Sequence, residues 1–160
     1  IFKISLSRGS RQIRVREELK YIEKYMEIQN IRYENRFELI LDVDEELLDL
    51  SIIKLILQPF VENAMYHGLE AKIGKGFIEL KGELIGDDIY FTITDDGIGM
   101  KNPEEIYSGY GVKNVVDRIH LFYGDAYGIT VTSEYQVGTS IRIRIPAMKG
   151  EHTDAKPCRH

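Results

Sequence analysis

Asn63 and His67 stand four residues apart in the run LQPFVENAMYHG at residues 57–68, so on a helix they share one face. Glu62 and Tyr66 share the neighbouring face. A neutral amide oxygen held on a rigid helix can ligate Mg²⁺, a hard ion that takes oxygen ligands. Leu57, Phe60, Val61 and Ala64 supply an apolar stripe to anchor the other side. The same run also suits a buried helix with a satisfied polar edge. Further on, Asp95-Asp96-Gly97-Ile98-Gly99-Met100 follows a strand-like segment. Its glycines allow a sharp turn and a close approach by a ligand. A carboxylate at a strand end can accept a hydrogen bond from a nucleobase amino group, although Asp-Gly also serves in simple turns.

Two weaker segments complete the set. Gly109-Tyr110-Gly111-Val112-Lys113-Asn114 places two glycines before a helical pattern. Open N–H groups and the positive end of a helix suit phosphate, and Lys113 and Asn114 add a cation and an amide. The segment fits neither GxxxxGK[ST] nor GxGxxG. Gly138-Thr139-Ser140 enters the last strand-like segment, where a small hydroxyl could bond a base directly or through water.

The elements that must hold these groups follow from periodicity. Ile13, Leu19, Ile22 and Met26 recur at helical spacing, which predicts a long amphipathic helix over residues 12–33. A strand is predicted at 37–43 and a helix over 52–69, capped by Asp44 or Ser51 and interrupted by Pro59. Strands at 77–85 and 89–94 flank Gly86-Asp87-Asp88, a hairpin signal. Residues 95–111 read as a loop of the length that often forms a lid. A helix is predicted over 112–123, then strands at 129–135 and 139–145. This order gives an α+β fold, with a mostly antiparallel sheet and helices packed on one face.

Bulk properties limit the functions. The chain has 160 residues, 43% hydrophobic and 29% charged, which fits one domain with a sizeable core. A formal net charge of -5 disfavours a duplex-DNA binder, and Arg8, Arg11, Arg14 and Arg16 read as a solvated helix start or a linker, or else as a nucleic-acid or lipid contact. The single cysteine, Cys158, excludes an internal disulfide and favours a reducing compartment. No CxxC or HExxH pattern points to zinc. No apolar run approaches the ~18 residues of a membrane span.

Taken in order, ENAxxHG, DDGIGM, GYGVKNV and GTS resemble the N box, G1 box, G2 box and terminal Gly-Thr element of the GHKL ATPase superfamily. That group joins histidine kinases, gyrase-type topoisomerases, heat-shock chaperones and mismatch-repair ATPases. LQPFVENAMYHG is most similar to the N box of LytS/YesM-type sensor histidine kinases. The resemblance covers about residues 12–146 and implies a two-layer α/β sandwich of the GHKL (Bergerat) type. It implies a linker helix region at 1–35, an ATPase core at 36–146 and a disordered tail at 147–160.

By the same resemblance the chain would be a protein-histidine kinase domain that binds ATP and Mg²⁺. Asn63 would ligate Mg²⁺, with Glu62 beside it as the other catalytic candidate. Tyr66, His67, Asp95, Gly97, Gly99, Met100, Gly109, Tyr110, Gly111, Val112, Lys113, Asn114 and Thr139 would surround the nucleotide, Asp95 holding the adenine amino group. Two departures stand out. Tyr66 occupies a position where a basic residue is frequent, and Pro59 stands where the hydrolysing members carry a glutamate. The phosphoacceptor, in a segment like QxxPHFLFN, is absent: His67, His120, His152 and His160 are the histidines, and none is a good acceptor. The implied partners are the phosphoacceptor helices of the kinase's own dimer and a response regulator, with no nucleic acid. The implied setting is the cytoplasmic part of a bacterial inner-membrane sensor, joined to the membrane through upstream segments. An anti-sigma serine kinase-like protein or a nucleotide-free signalling module are the alternatives.

Overall fold

The period-two segments build a five-stranded sheet in the computed structural model, which describes residues 11–149. In chain order the elements are β1 (Gln12–Arg14), α1 (Val15–Arg32), β2 (Phe37–Val43), a 3₁₀ turn (Glu45–Leu47), β3 (Ser51–Ile53) and α2 (Gln58–Asn63), which continues as a π-helical segment (Ala64–Leu69). Then follow β4 (Gly76–Ile85), β5 (Asp88–Asp95), a second 3₁₀ helix (Pro103–Ser108), α3 (Tyr110–Tyr123), β6 (Gly128–Glu134) and β7 (Gly138–Pro146). The main sheet has the order β2-β4-β5-β7-β6. Only the β2–β4 pair is parallel, so the sheet is mixed and mostly antiparallel, as the pattern predicts.

Alternation separates the two faces. Along β5, Ile89, Phe91, Ile93 and Asp95 are buried, while Tyr90, Thr92 and Thr94 face the open side. On β7 the open side carries Arg142 and Arg144. Arg142 lies 4.4 Å from the Tyr90 ring centroid, and Arg144 pairs with Asp88 at 2.9 Å. The helices cover the other face. Ile22 and Met26 from α1, Phe60 and Val61 from α2, and Val115 and Ile119 from α3 join Ile78, Phe91 and Ile143 of the sheet in one core. Ile143→Val deletes one methyl group from the middle of this core. It is expected to lower stability by ~1 kcal/mol, read as a shifted midpoint in urea unfolding.

The structure corrects several boundaries. Residues 51–53 are a strand rather than the start of a helix: Ile52 and Ile53 are β-branched, and β3 finds an antiparallel partner in β1. Residues 12–14, expected as helix, form that partner. Ser51 caps no helix; its hydroxyl donates to Gln12 Oε1 at 2.6 Å. Asp44 precedes only the short 3₁₀ turn and makes no side-chain cap. The helix starts at Gln58, where Pro59 fits the first turn because its missing N–H would be unsatisfied there anyway. Residues 95–111, expected as a loop, hold a 3₁₀ helix at Pro103–Ser108. Asn102 accepts the Glu104 N–H at 3.1 Å, Pro103 starts the turn, and Ile106 buries itself in the core.

In the tail, the Ala147 N–H donates to the Asp87 carbonyl at 2.8 Å, and Lys149 pairs with Leu50. Arg8, His152, Cys158 and His160 lie outside the described residues. No helix among the described residues is long and apolar enough to cross a membrane.

Candidate functional site

The site is built where the C-terminal end of the α2–π helix meets the loop after β5. Gly97 packs directly on Gly68: a methyl group at Gly97 would sit 2.5 Å from the Cα and carbonyl oxygen of Gly68. The Ile98 N–H donates to that carbonyl at 3.1 Å. Gly68 in turn makes room for Asp95, since a Cβ there would lie 2.9 Å from Asp95 Oδ1. Gly99, at φ +68, turns the loop under the β6–β7 hairpin, where a side chain would strike the backbone of Glu134. The Gln136 N–H closes this junction onto the Ile98 carbonyl.

Asp95 ends β5 on the covered face and is 6% exposed. Its Oδ1 accepts the Gly97 N–H at 2.8 Å. Burial pushes its carboxyl up to about 6, and the neighbouring charge of Asp96 adds to the rise. The N–H groups of Gly97 and Thr139 and the ammonium of Lys72 pull the other way. Thr139, also buried, lies beside Asp95 through the β5–β7 pairing. Its hydroxyl is 2.8 Å from Ser133 Oγ, which also accepts the Met100 N–H at 2.8 Å. Asp96 points elsewhere. It binds Lys72 Nζ at 2.7 Å and accepts the Phe77 N–H at 2.8 Å, so it fastens the start of β4.

Asn63 lies one helical turn earlier. With Glu62, Tyr66, His67, Gly109, Gly111 and Val112 it lines a depression of about 210 Å³ between α2 and the start of α3. Asn63 and Glu62 are half-buried; Tyr66 and His67 are exposed. Glu62 Oε2 accepts a hydrogen bond from Gln58 Nε2 at 3.0 Å. Gly109 is the N-cap of α3 and offers no side-chain acceptor to the first turn. A larger cleft of about 470 Å³ opens at the end of the sheet, lined by Asp95, Thr139, Ser133 and Gly138 together with open-face residues such as Thr94 and Ser140.

Asn63 and Asp95 therefore border two neighbouring depressions rather than one continuous cleft. The Gly68–Gly97 contact ties them together. Lys113 and Asn114 are outside the smaller depression: Lys113 Nζ lies 3.9 Å from Asp117, and Asn114 accepts from Arg118 Nε at 3.2 Å. Tyr110 opens α3, and its side chain is outside the described ones. His120 is half-buried on α3, against Gly128.

The sequence reading missed Ser133, Lys72, Glu18 and Arg118. The serine and lysine carry no local signal, because their partners are fixed only by strand pairing and loop docking. Glu18 and Arg118 hold the turn before α2 from two other helices.

Known proteins resemble this chain over most of its length. Residues 48–149 match the model of the histidine kinase-, DNA gyrase B- and HSP90-like ATPase family, and residues 1–37 match a histidine kinase model. The sensor histidine kinase YesM of Bacillus subtilis (strain 168) is 34% identical over 137 residues, 84% of this chain and 24% of that protein. The sensor protein kinase HptS of Staphylococcus aureus (strain USA300) is 31% identical over 162 residues, 94% of this chain and 31% of that protein. This chain thus spans under a third of those relatives.

Two solved structures share the fold at low identity. The catalytic domain of the histidine kinase ThkA superposes with a TM-score of 0.66 at 17% identity, over 87% of this chain and 97% of that one. The Acinetobacter baumannii histidine kinase AdeS does so with a TM-score of 0.66 at 14% identity, over 84% and 66%. With 102 of its 160 residues inside the family match, the chain belongs to the histidine kinase-, DNA gyrase B- and HSP90-like ATPase family.

Proposed function

We propose that this chain is the ATP-binding catalytic domain of a two-component sensor histidine kinase. It would pass the γ-phosphoryl group to a histidine on another segment, from which an aspartate of a response regulator receives it. The observation that carries this reading is the seating of Asp95 against Gly68, five residues along one continuous helix from Asn63. Five helical residues span about 7 Å, a separation that the ribose and first phosphates of one nucleotide would bridge. The Asp95 carboxylate would accept from the adenine amino group, with Thr139 beside it. Gly97 and Gly99 would shape the pocket, and Met100 would close its edge.

The phosphates would lie in the depression lined by Asn63, Glu62, Gly109, Gly111 and Val112, with Tyr66 and His67 at its rim. The uncapped first turn of α3 offers N–H donors and a positive helix end. The 3₁₀ helix Pro103–Ser108, which leads into Gly109 and Gly111 of the smaller depression, would act as a lid that rearranges over the phosphates. Lys113 and Asn114 would reach the phosphates only in that rearranged lid.

A magnesium ion fits this chemistry. Three-residue clusters of acidic, histidine or cysteine ligands are absent among the described residues. Mg²⁺ is usually held by few protein groups plus substrate phosphates, and the half-buried Asn63 amide, beside Glu62, would hold it. The ion would neutralise charge on the transferring phosphoryl group. The chain itself would position the nucleotide. Glu62 is engaged by Gln58, and Pro59 holds the position of the hydrolytic glutamate. A histidine ring as nucleophile needs no such base.

Asn63→Ala is expected to weaken ATP–Mg²⁺ binding about tenfold in calorimetric titration, the value of one lost ligand contact. The chain alone should hydrolyse ATP only slowly. Rapid steady hydrolysis would sink the kinase reading.

A further inference from the structure

The turn at residues 54–58 leads into α2 without a local cap. Leu57 is the N-cap residue and offers no side-chain acceptor, and Leu55 stands at φ +60. Nevertheless the N–H groups of Ile56, Leu57 and Gln58 all donate to one carboxylate, that of Glu18, at 3.3, 2.6 and 3.0 Å. Glu18 projects from the middle of the first turns of α1 and is fully buried. From the opposite side, Arg118 of α3 donates through Nη1 to the Lys54 carbonyl at 2.7 Å and through Nη2 to the Leu55 carbonyl. Burial drives the Glu18 carboxyl up, while the three N–H groups and the Arg118 charge oppose that rise.

One turn is thus gripped by two helices, one taking its donors and the other its acceptors. The helix it opens carries Glu62 and Asn63. The helix that carries Arg118 begins at the wall formed by Gly109, Gly111 and Val112. The helix that carries Glu18 lies in the part of the chain matched by the histidine kinase model at 1–37. A buried carboxylate on three N–H donors is a stiff, charge-assisted link, and α1 is 18 residues long.

We infer that Glu18 and Arg118 are positioning residues that tie the placement of α1 to both walls of the phosphate-side depression, so that α1 sets where Asn63 stands. The consequence for affinity rests on the nucleotide reading proposed above; the geometric link does not.

The test uses the full 160-residue chain. Glu18→Gln keeps the shape but turns an amide NH₂ toward N–H donors. It is expected to weaken ATP–Mg²⁺ binding roughly tenfold. In the absence of nucleotide, it should also shift the NMR resonances of the Asn63 side-chain amide and the Gly111 backbone amide, leaving those of the β6–β7 hairpin in place. Arg118→Lys, which loses the forked contact, should move the same Asn63 and Gly111 resonances by less. If Glu18→Gln does not fold, Arg118→Lys decides by those resonances. A folded variant with Asn63 and Gly111 unmoved overturns the inference. Should the wild-type chain fail to bind ATP, the nucleotide reading falls, and the resonances still decide the positioning role.

Discussion

Asp95→Ala is expected to weaken ATP binding by roughly 10- to 100-fold, the loss of a hydrogen bond to a charged acceptor in a buried site. Calorimetric titration reads it directly, and an unchanged dissociation constant would remove Asp95 from the nucleotide site. Asp95→Asn should lose nearly as much. Its amide oxygen would stay with the Gly97 N–H, as Oδ1 does now, and its NH₂ would face the adenine amino group, donor against donor.

A pH dependence follows from the same burial. The folded carboxyl titrates near 6, above the ordinary range for aspartate. On the proposed reading the ionised form would accept from adenine, so affinity should rise with pH through 6 and level off above it. About one pH unit below that midpoint, binding should be about tenfold weaker. Stability runs in the opposite sense. A carboxyl raised on folding contributes stability that is complete below its unfolded value near 4 and is lost as pH rises through 6. For a rise of this size the loss is about 3 kcal/mol. Asp95→Asn should therefore remove this share of the pH dependence of the unfolding free energy between pH 4 and about 7, and with it the share of the fall in ATP affinity that Asp95 causes below pH 6.

Gly97→Ala is the second large effect. The added methyl would meet the Gly68 backbone at 2.5 Å, and backbone atoms cannot swing aside as a flexible side chain can. Either the end of the α2–π helix separates from the loop or the loop shifts off Asp95, and both break the Ile98 N–H bond to Gly68. A loss of about 3 kcal/mol in urea unfolding is expected, with ATP binding reduced in the same variant. Gly109→Ala and Gly111→Ala provide the contrast. Nothing lies within 4 Å of a methyl group at either position, so only capping and helix propensity act and stability should change by no more than about 1 kcal/mol. Destabilisation by Gly109→Ala or Gly111→Ala equal to that by Gly97→Ala would contradict the packing described for Gly97.

The same contrast sorts what could be read in advance. Gly97/Gly99 and Gly109/Gly111 are two of the three GxG runs in this chain, and their letters are equivalent. In the fold, the first pair is where two stretches of backbone touch. The second is open space ahead of a helix, which is where a ligand could fit. Asp95 and Asp96 are also equivalent as letters. Strand alternation turns one into the covered face and leaves the other to Lys72 and the Phe77 N–H. Periodicity located the hairpins because alternation is a local property of a half-buried strand. It failed at residues 51–53, where three buried residues in a row have no period and the strand exists only because β1 lies beside it.

From the sequence alone came the α+β class, the order of strands and helices, the single core and the four segments that the family match then joined. These depend on neighbours a few residues apart, through helical and strand periods, turn residues and motif spacing. Tertiary structure alone decided that Asp95 sits against Gly68, that Asn63 opens onto a separate depression, and that Glu18 caps a helix 40 residues away. The physical reason is common to all three. Each depends on which backbone atoms come within a few ångströms once strands have paired and helices have docked, and no local pattern records that choice.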